Sequence, residues 1–279
     1  MLFQSEHLCV TAEYGVATLR LGFPGEPVNA LDAPRLTELE TALRSVETDA
    51  FVRALVVRSA KPFGFCAGLH PGVAMVTDRA SFAARGQHVF ARLRALPFTT
   101  VALIEGPCLG VGFELALMCD HRLCVATPQT HLGFPTRGAY FGGSSRVRKL
   151  AGRRAAALVE SGRTLSGREA RALGLVDRAF CARRAKIELR TFLDELERRP
   201  RVPHRGPDET GLAQERRAFA HADLIGLPAG APPDVETLLA RGFITPLEAE
   251  QMRTRPAPAP APRLAPVTEE APEPILRVA

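Results

Sequence analysis

In "IEGPCLGVGFELALMCDHRL" (residues 104–123), a lone carboxylate, Glu114, stands in a run of Phe, Leu, Ala and Met just after three glycines in seven residues. Burying an acid carries a desolvation cost, so a segment that only filled a core would carry another leucine there. A second glycine-rich stretch, "FGFCAGLHPG" (63–72), also follows an apolar run. Glycines let a backbone approach a ligand closely and leave N–H groups open. A helix beginning at Gly112 would add free donors and the positive end of its dipole. If the strands entering these turns are neighbours, one N–H from each converges on a single oxygen. Such a pair stabilises a developing oxyanion, and loss of one donor costs about 3 kcal/mol in the barrier. Two plain tight turns are the alternative, and the glycine pattern alone leaves both open. Neither a P-loop nor a dinucleotide fingerprint is present, because "GPCLGVG" lacks both spacings.

The elements that must position these turns are readable from periodicity. "GVATLRLG" (15–22) alternates as a half-buried strand, and "RALVVRS" (53–59), "TTVALIEG" (99–106) and "HRLCVA" (121–126) read as further short strands. Leu36, Leu39, Leu43 and Val46 share one helical face, with Asp32 as N-cap and Pro34 in the first turn. Helices are also expected at 80–95, 112–119, 183–199 and 214–224. Ser166 and Glu169 form a capping box, and Gly174 marks that helix's end. Strand, loop and helix in repeated order predict an α/β core of parallel strands with crossover helices. From Arg255, "RPAPAPAPRLAPVTEEAPEP" is Pro/Ala-rich and is expected to be extended or disordered.

Composition narrows the function classes. The 279 residues carry a net charge of +6, no tryptophan and two tyrosines. Basic residues recur without interleaved aromatics, which argues against nucleic-acid binding. The longest apolar run falls short of a membrane span, and the polar N-terminus does not read as a signal peptide. Six cysteines show no zinc spacing and read as small core residues of a cytoplasmic protein. The acids and histidines show no metal-ligand spacing either, so no metal is expected.

Four segments in order, "PVNALD" (27–32), "VRALVVRS…FGFCAGLHPG" (52–72), the Glu114 block and "SGRTLSGREARALGLVDRAF" (161–180), resemble the crotonase superfamily, the enoyl-CoA hydratase/isomerase family. The likeness spans roughly residues 10–225, and Gly-x-Gly-x-Glu-Leu-Ala-x-x-Cys-Asp is its most specific part. It implies a spiral of ββα units in a core over 1–182. It also implies a helical region over 183–254 used for assembly, usually into homotrimers or dimers of trimers, before the 255–279 tail. The implied activity belongs to fatty acid metabolism, with a coenzyme A thioester as substrate and no separate cofactor. Carried over position by position, the two oxyanion-hole N–H groups are those of Leu69 and Val111. Ala67, Gly68 and Gly110 line the substrate, and Glu114 matches one of two catalytic glutamates. By the same analogy, the segment Ala74 to Gln87 covers the acyl end.

The departures bear on mechanism. Within "HLGFPTRGAYFGGSSR" (131–146), Thr136 stands where the family's second glutamate belongs, and the loop before Gly142 and Gly143 is shorter. Threonine is no acid or base near neutral pH, though its hydroxyl suits a ligand contact. Val111 replaces the usual glycine, which a backbone contact permits, although its branched side chain threatens to crowd the loop. His70 replaces the family's aspartate and is a candidate proton relay, with a surface or hydrogen-bonding histidine as the alternative. Asp120 reads as structural. Three outcomes stay open: a hydratase with one glutamate, an isomerase or other crotonase-type reaction, and a non-catalytic acyl-thioester binder.

Overall fold

The computed structural model describes residues 1–22, 28–61, 64–70, 73, 76, 78–135, 138–197, 209–220 and 250. The chain opens with β1 (Phe3–Gln4), β2 (Leu8–Glu13) and β3 (Val16–Leu21), then α1 (Ala33–Glu47), β4 (Ala54–Ser59) and α2 (Arg79–Ala95). β5 (Thr99–Glu105), β6 (Cys108–Leu109), α3 (Val111–Met118), β7 (His121–Val125) and β8 (His131–Gly133) follow. The remainder comprises α4 (Gly143–Ser161), β9 (Thr164–Ser166), α5 (Gly167–Ala172), β10 (Arg178–Phe180), α6 (Ala185–Glu197) and α7 (Glu209–Ala220).

A seven-stranded sheet has the order β1-β2-β3-β4-β5-β7-β10, and a small sheet has the order β6-β8-β9. β1, β2 and β3 pair antiparallel, whereas β3-β4-β5-β7-β10 is parallel. Helices α1, α2 and α3 provide the crossovers, because parallel neighbours cannot be joined by a hairpin. The expected α/β core is therefore present. The caps are also as read: Asp32 accepts the Arg35 N–H, and Ser166 and Glu169 cap each other. The small sheet, β1 and β2 were not assigned from the residue pattern, whereas β3 falls within the strand read at 15–22.

One face of the large sheet packs α1, α2, α3 and α7 into the main core, which includes Leu36, Leu43, Phe90, Phe141 and Phe219. The other face holds a second cluster, where Phe192 and the α6 leucines cover Val56, Val101 and Leu123. Thus α6 and α7, from the region expected to serve assembly, both pack on the core of their own chain. Residues 255–279 lie outside the described residues, as does most of 221–254. Among the described residues no helix is long and apolar enough to cross a membrane.

Candidate active site

The two glycine-rich turns leave the carboxyl ends of neighbouring strands β4 and β5, so they meet at one end of the sheet. They are stitched together by a parallel bridge between Cys66 and Cys108, with the Leu109 N–H on the Cys66 carbonyl at 2.9 Å. The first turn is also tied to the segment before α1. Leu31 donates its N–H to the Gly68 carbonyl and accepts the His70 N–H, both at 2.8 Å. Successive amides along extended backbone point in opposite directions. The Leu69 N–H, lying between those two bonds, is thereby aimed away from Leu31, and it donates to no backbone acceptor within the described residues.

The second turn ends at Gly110, whose φ of 52° and ψ of −125° suit glycine. Val111 is the first residue of α3, so its N–H has no partner within the helix. A Cβ on Gly112 would lie 2.3 Å from the Cys66 carbonyl oxygen, so only glycine lets the helix press against the first turn. The ideal Cβ position at Gly68 is 3.9 Å from the Val111 nitrogen, which places the two turns in direct contact. Val111 does not crowd the loop as feared: it is 2% exposed and belongs to the main core. Leu69 packs against that core while remaining partly exposed, and Ala67 is partly exposed too.

Asn29 is a positioning residue that no residue pattern singled out. Fully buried, it donates from Nδ2 to the Leu21 carbonyl, the Ser59 hydroxyl and the Phe65 carbonyl, while its own carbonyl accepts the Ala67 N–H. It thereby pins the first turn to the ends of β3 and β4.

Glu114 lies one turn along α3 from Gly110, in a helix whose eight residues are all buried. A helix apolar all round belongs in a core, and its one acid must be answered there. Three backbone N–H groups answer it. Tyr140 donates to Oε1 at 2.8 Å, while Phe141 and Gly143 donate to Oε2 at 2.7 and 2.8 Å. Gly143 has to be small, because a Cβ there would lie 2.6 Å from Glu114 Cγ. Burial, and then the neighbouring Glu215 carboxylate, push the Glu114 carboxyl up to about 8, against the pull of the three amides. Glu114 is 0% exposed, so its carboxyl faces protein rather than an open pocket.

Glu215, unforeseen from the residue pattern, comes from α7. Its carboxylate accepts the Gly142 N–H and, at 3.0 Å, the Ser144 N–H. One signal could have revealed it: Glu215 shares a helix face with Leu212 and Phe219, an acid on an apolar stripe. Thr136 lies outside the described residues, so its predicted ligand contact has no geometry here. Ala74 lies outside them too. His70 is partly exposed beside Leu69, with its carbonyl accepting the Val73 N–H. Asp120 accepts the Thr100 N–H and hydroxyl, a structural link between β5 and β7. Among the described residues no group of three or more His, Cys, Asp or Glu is placed to hold a metal ion.

Two surface cavities lie elsewhere. One, of about 690 Å³, sits at the opposite end of the parallel strands, against Val16, Ala54 and Thr99. The other, of about 520 Å³, is lined by Arg168, Arg171, Arg178 and Arg184 beside β10. Neither includes Leu69, Val111 or Glu114 among its lining residues.

This architecture is the crotonase fold. A putative enoyl-CoA hydratase from Streptomyces avermitilis superposes with a TM-score of 0.69 at 25% identity, over 88% of this chain and 95% of that one. An enoyl-CoA hydratase from Bacillus anthracis shares the fold with a TM-score of 0.64 at 22% identity, over 88% of both chains. The chain belongs to the enoyl-CoA hydratase/isomerase family, whose model matches residues 11–205. Among curated relatives it is similar to the fatty acid oxidation complex subunit alpha of Aliivibrio fischeri, 37% identical over 172 residues. The same subunit of Vibrio cholerae is 36% identical over 177 residues. These matches cover 58% and 59% of this chain and 25% of each relative, so the chain matches about a quarter of their length.

Proposed function

We propose that this protein acts on acyl-CoA thioesters, holding the thioester oxygen with the N–H groups of Leu69 and Val111 as an enolate forms. The observation that carries the proposal is the contact between the two turns, with neither N–H group given a backbone acceptor among the described residues. Family membership supplies the substrate class. The favoured reaction is hydration of a 2-enoyl-CoA: water oxygen bonds to the β-carbon, electrons move onto the thioester oxygen, and a proton then reaches the α-carbon. Glu114, raised to about 8, carries a proton near neutral pH and therefore suits the acid half of this scheme rather than the base half. His70, next to Leu69, is the group assigned to relay the water proton. Isomerisation, which moves one proton between carbons, would use the same amide pair.

A second reading is acyl-thioester binding without turnover. It is favoured by one observation: the Glu114 carboxylate is wholly buried and engaged by three amides. Loss of the conjugated enoyl absorbance over a short-to-long 2-enoyl-CoA panel separates the two, with Glu114→Gln run alongside. Turnover in the parent that collapses in Glu114→Gln supports the enzyme reading. Binding of a saturated acyl-CoA without turnover of any enoyl-CoA supports the second. Absence of both would overturn the acyl-CoA assignment.

A further inference from the structure

Two carboxylates from distant parts of the chain divide one run of backbone donors. Residues 140, 141 and 143 give their N–H groups to Glu114, and residues 142 and 144 give theirs to Glu215. The interleaving occupies every amide from Tyr140 to Ser144, across the turn that enters α4. Those of Gly142, Gly143 and Ser144 are among the N–H groups that a helix start leaves without internal partners, at the positive end of the dipole. The same α7 face closes over the turn. Phe219 meets the Tyr140 ring at 4.8 Å between centroids, and Gln87 Nε2 bonds both the Tyr140 and Leu212 carbonyls, at 3.0 and 2.9 Å.

We propose that Glu215 is a positioning residue for the active site: by holding the Gly142 and Ser144 amides from α7, it fixes the turn that orients the Glu114 carboxyl. Its effect on turnover rests on the acyl-CoA enzyme reading above; its effect on Glu114 does not. With Gly142 and Ser144 held, the three amides facing Glu114 keep their aim, and the carboxyl has one arrangement. Without them the turn and the carboxyl can move together.

The charged surroundings leave this role to Glu215. Helix α3 bears no other charged residue. From α2 the neutral Gln87 faces the turn, while Arg85 is directed to Glu40. Arg146 of α4 donates to the Leu117 carbonyl, and Arg216 of α7 donates to Gln87 Oε1 at 2.6 Å. Among the described residues, Glu215 is the charged neighbour that acts on Glu114, and it acts to keep the proton on.

The test uses the full chain with Glu215→Gln, which keeps shape but turns one acceptor oxygen into a donor, and Glu215→Asp, which keeps charge one methylene shorter. Infrared titration follows the carbonyl stretch of the protonated Glu114 carboxyl, assigned by its loss in Glu114→Gln. Amide exchange over residues 138–146 is measured in parallel. In Glu215→Gln, exchange across the turn should rise about tenfold or more, and the Glu114 titration should fall by on the order of one unit. Glu215→Asp should recover the titration in part. In an active parent, kcat should fall in Glu215→Gln while KM stays near its parent value, because Leu69 and Val111 are untouched. A merely structural residue would lower the melting temperature without moving the Glu114 titration, and that result overturns the proposal. Should Glu215→Gln fail to fold, an Asp variant with parent titration and parent exchange overturns it equally. A parent without turnover counts against the enzyme reading alone, since titration and exchange still decide the role of Glu215.

Discussion

Two sets of backbone amides in this protein have opposite fates. In the turns at Leu69 and Val111, packing holds the N–H groups in place and supplies no backbone acceptor among the described residues. In the turn from Tyr140 to Ser144, all five N–H groups are taken by two buried carboxylates. Both sites are built from glycines that allow close approach, Gly112 in one and Gly143 in the other. Glycine content therefore does not separate the proposed ligand site from the internally bonded turn. What separates them is whether the described chain provides its own acceptors, here the carboxyl oxygens of Glu114 and Glu215.

The comparison breaks most sharply at Glu114. Glu114→Ala strands three buried N–H groups, each worth about 1–3 kcal/mol. The expected loss is about 4 kcal/mol or more, read by denaturant unfolding. A smaller loss, on the order of 3 kcal/mol, is expected for Gly112→Ala and Gly143→Ala, because each inserts a Cβ into occupied space. These two variants should part company in function: Gly112→Ala moves the Val111 N–H and abolishes acyl-CoA binding, whereas Gly143→Ala disturbs Glu114 and leaves binding measurable. Equal binding in both, by calorimetry, would dissolve the distinction between the two turns.

A third test uses pH. Glu114 holds its proton to about 8 when folded, against an ordinary value of 4.5. Its contribution to stability is therefore complete below pH 4.5 and is lost as pH rises towards 8, because the folded chain binds the extra proton. Stability measured across that window should decline in the parent, and Glu114→Gln should flatten the slope. The smallest effect is expected for Leu69→Ala. The proposed contact there is a backbone N–H, so acyl-CoA affinity should change by about 1 kcal/mol or less. A larger loss would assign the contact to the side chain.

Much of this was readable from local pattern. The strands, the crossover helices and the caps at Asp32 and Ser166 depend on neighbours a few residues apart, which is the range over which periodicity and capping act. Leu69 and Val111 were named through the likeness of their glycine turns to the family, since the glycine pattern alone left plain tight turns open. Glu215 was not, because the Gly142 amide it accepts lies 73 residues away, and its place on the Leu212–Phe219 stripe marks an acid without naming its partner. The helix holding it was placed at 214–224 and runs over Glu209–Ala220, since apolar spacing located the face more securely than the start. Two-residue strands such as β6 have too few positions to show alternation. Glu114 itself stood out as an acid in an apolar segment, and its three amide partners emerged only from the folded chain.

Asn29 has a consequence for engineering. One side-chain amide bonds the end of β3, the end of β4 and the loop that carries Leu69. The Leu69 loop is therefore not a portable cassette: a graft that moved residues 64–70 into another scaffold without 28–31 would leave behind the splint that sets its shape. Loop shuffling between relatives should succeed where both segments travel as a pair.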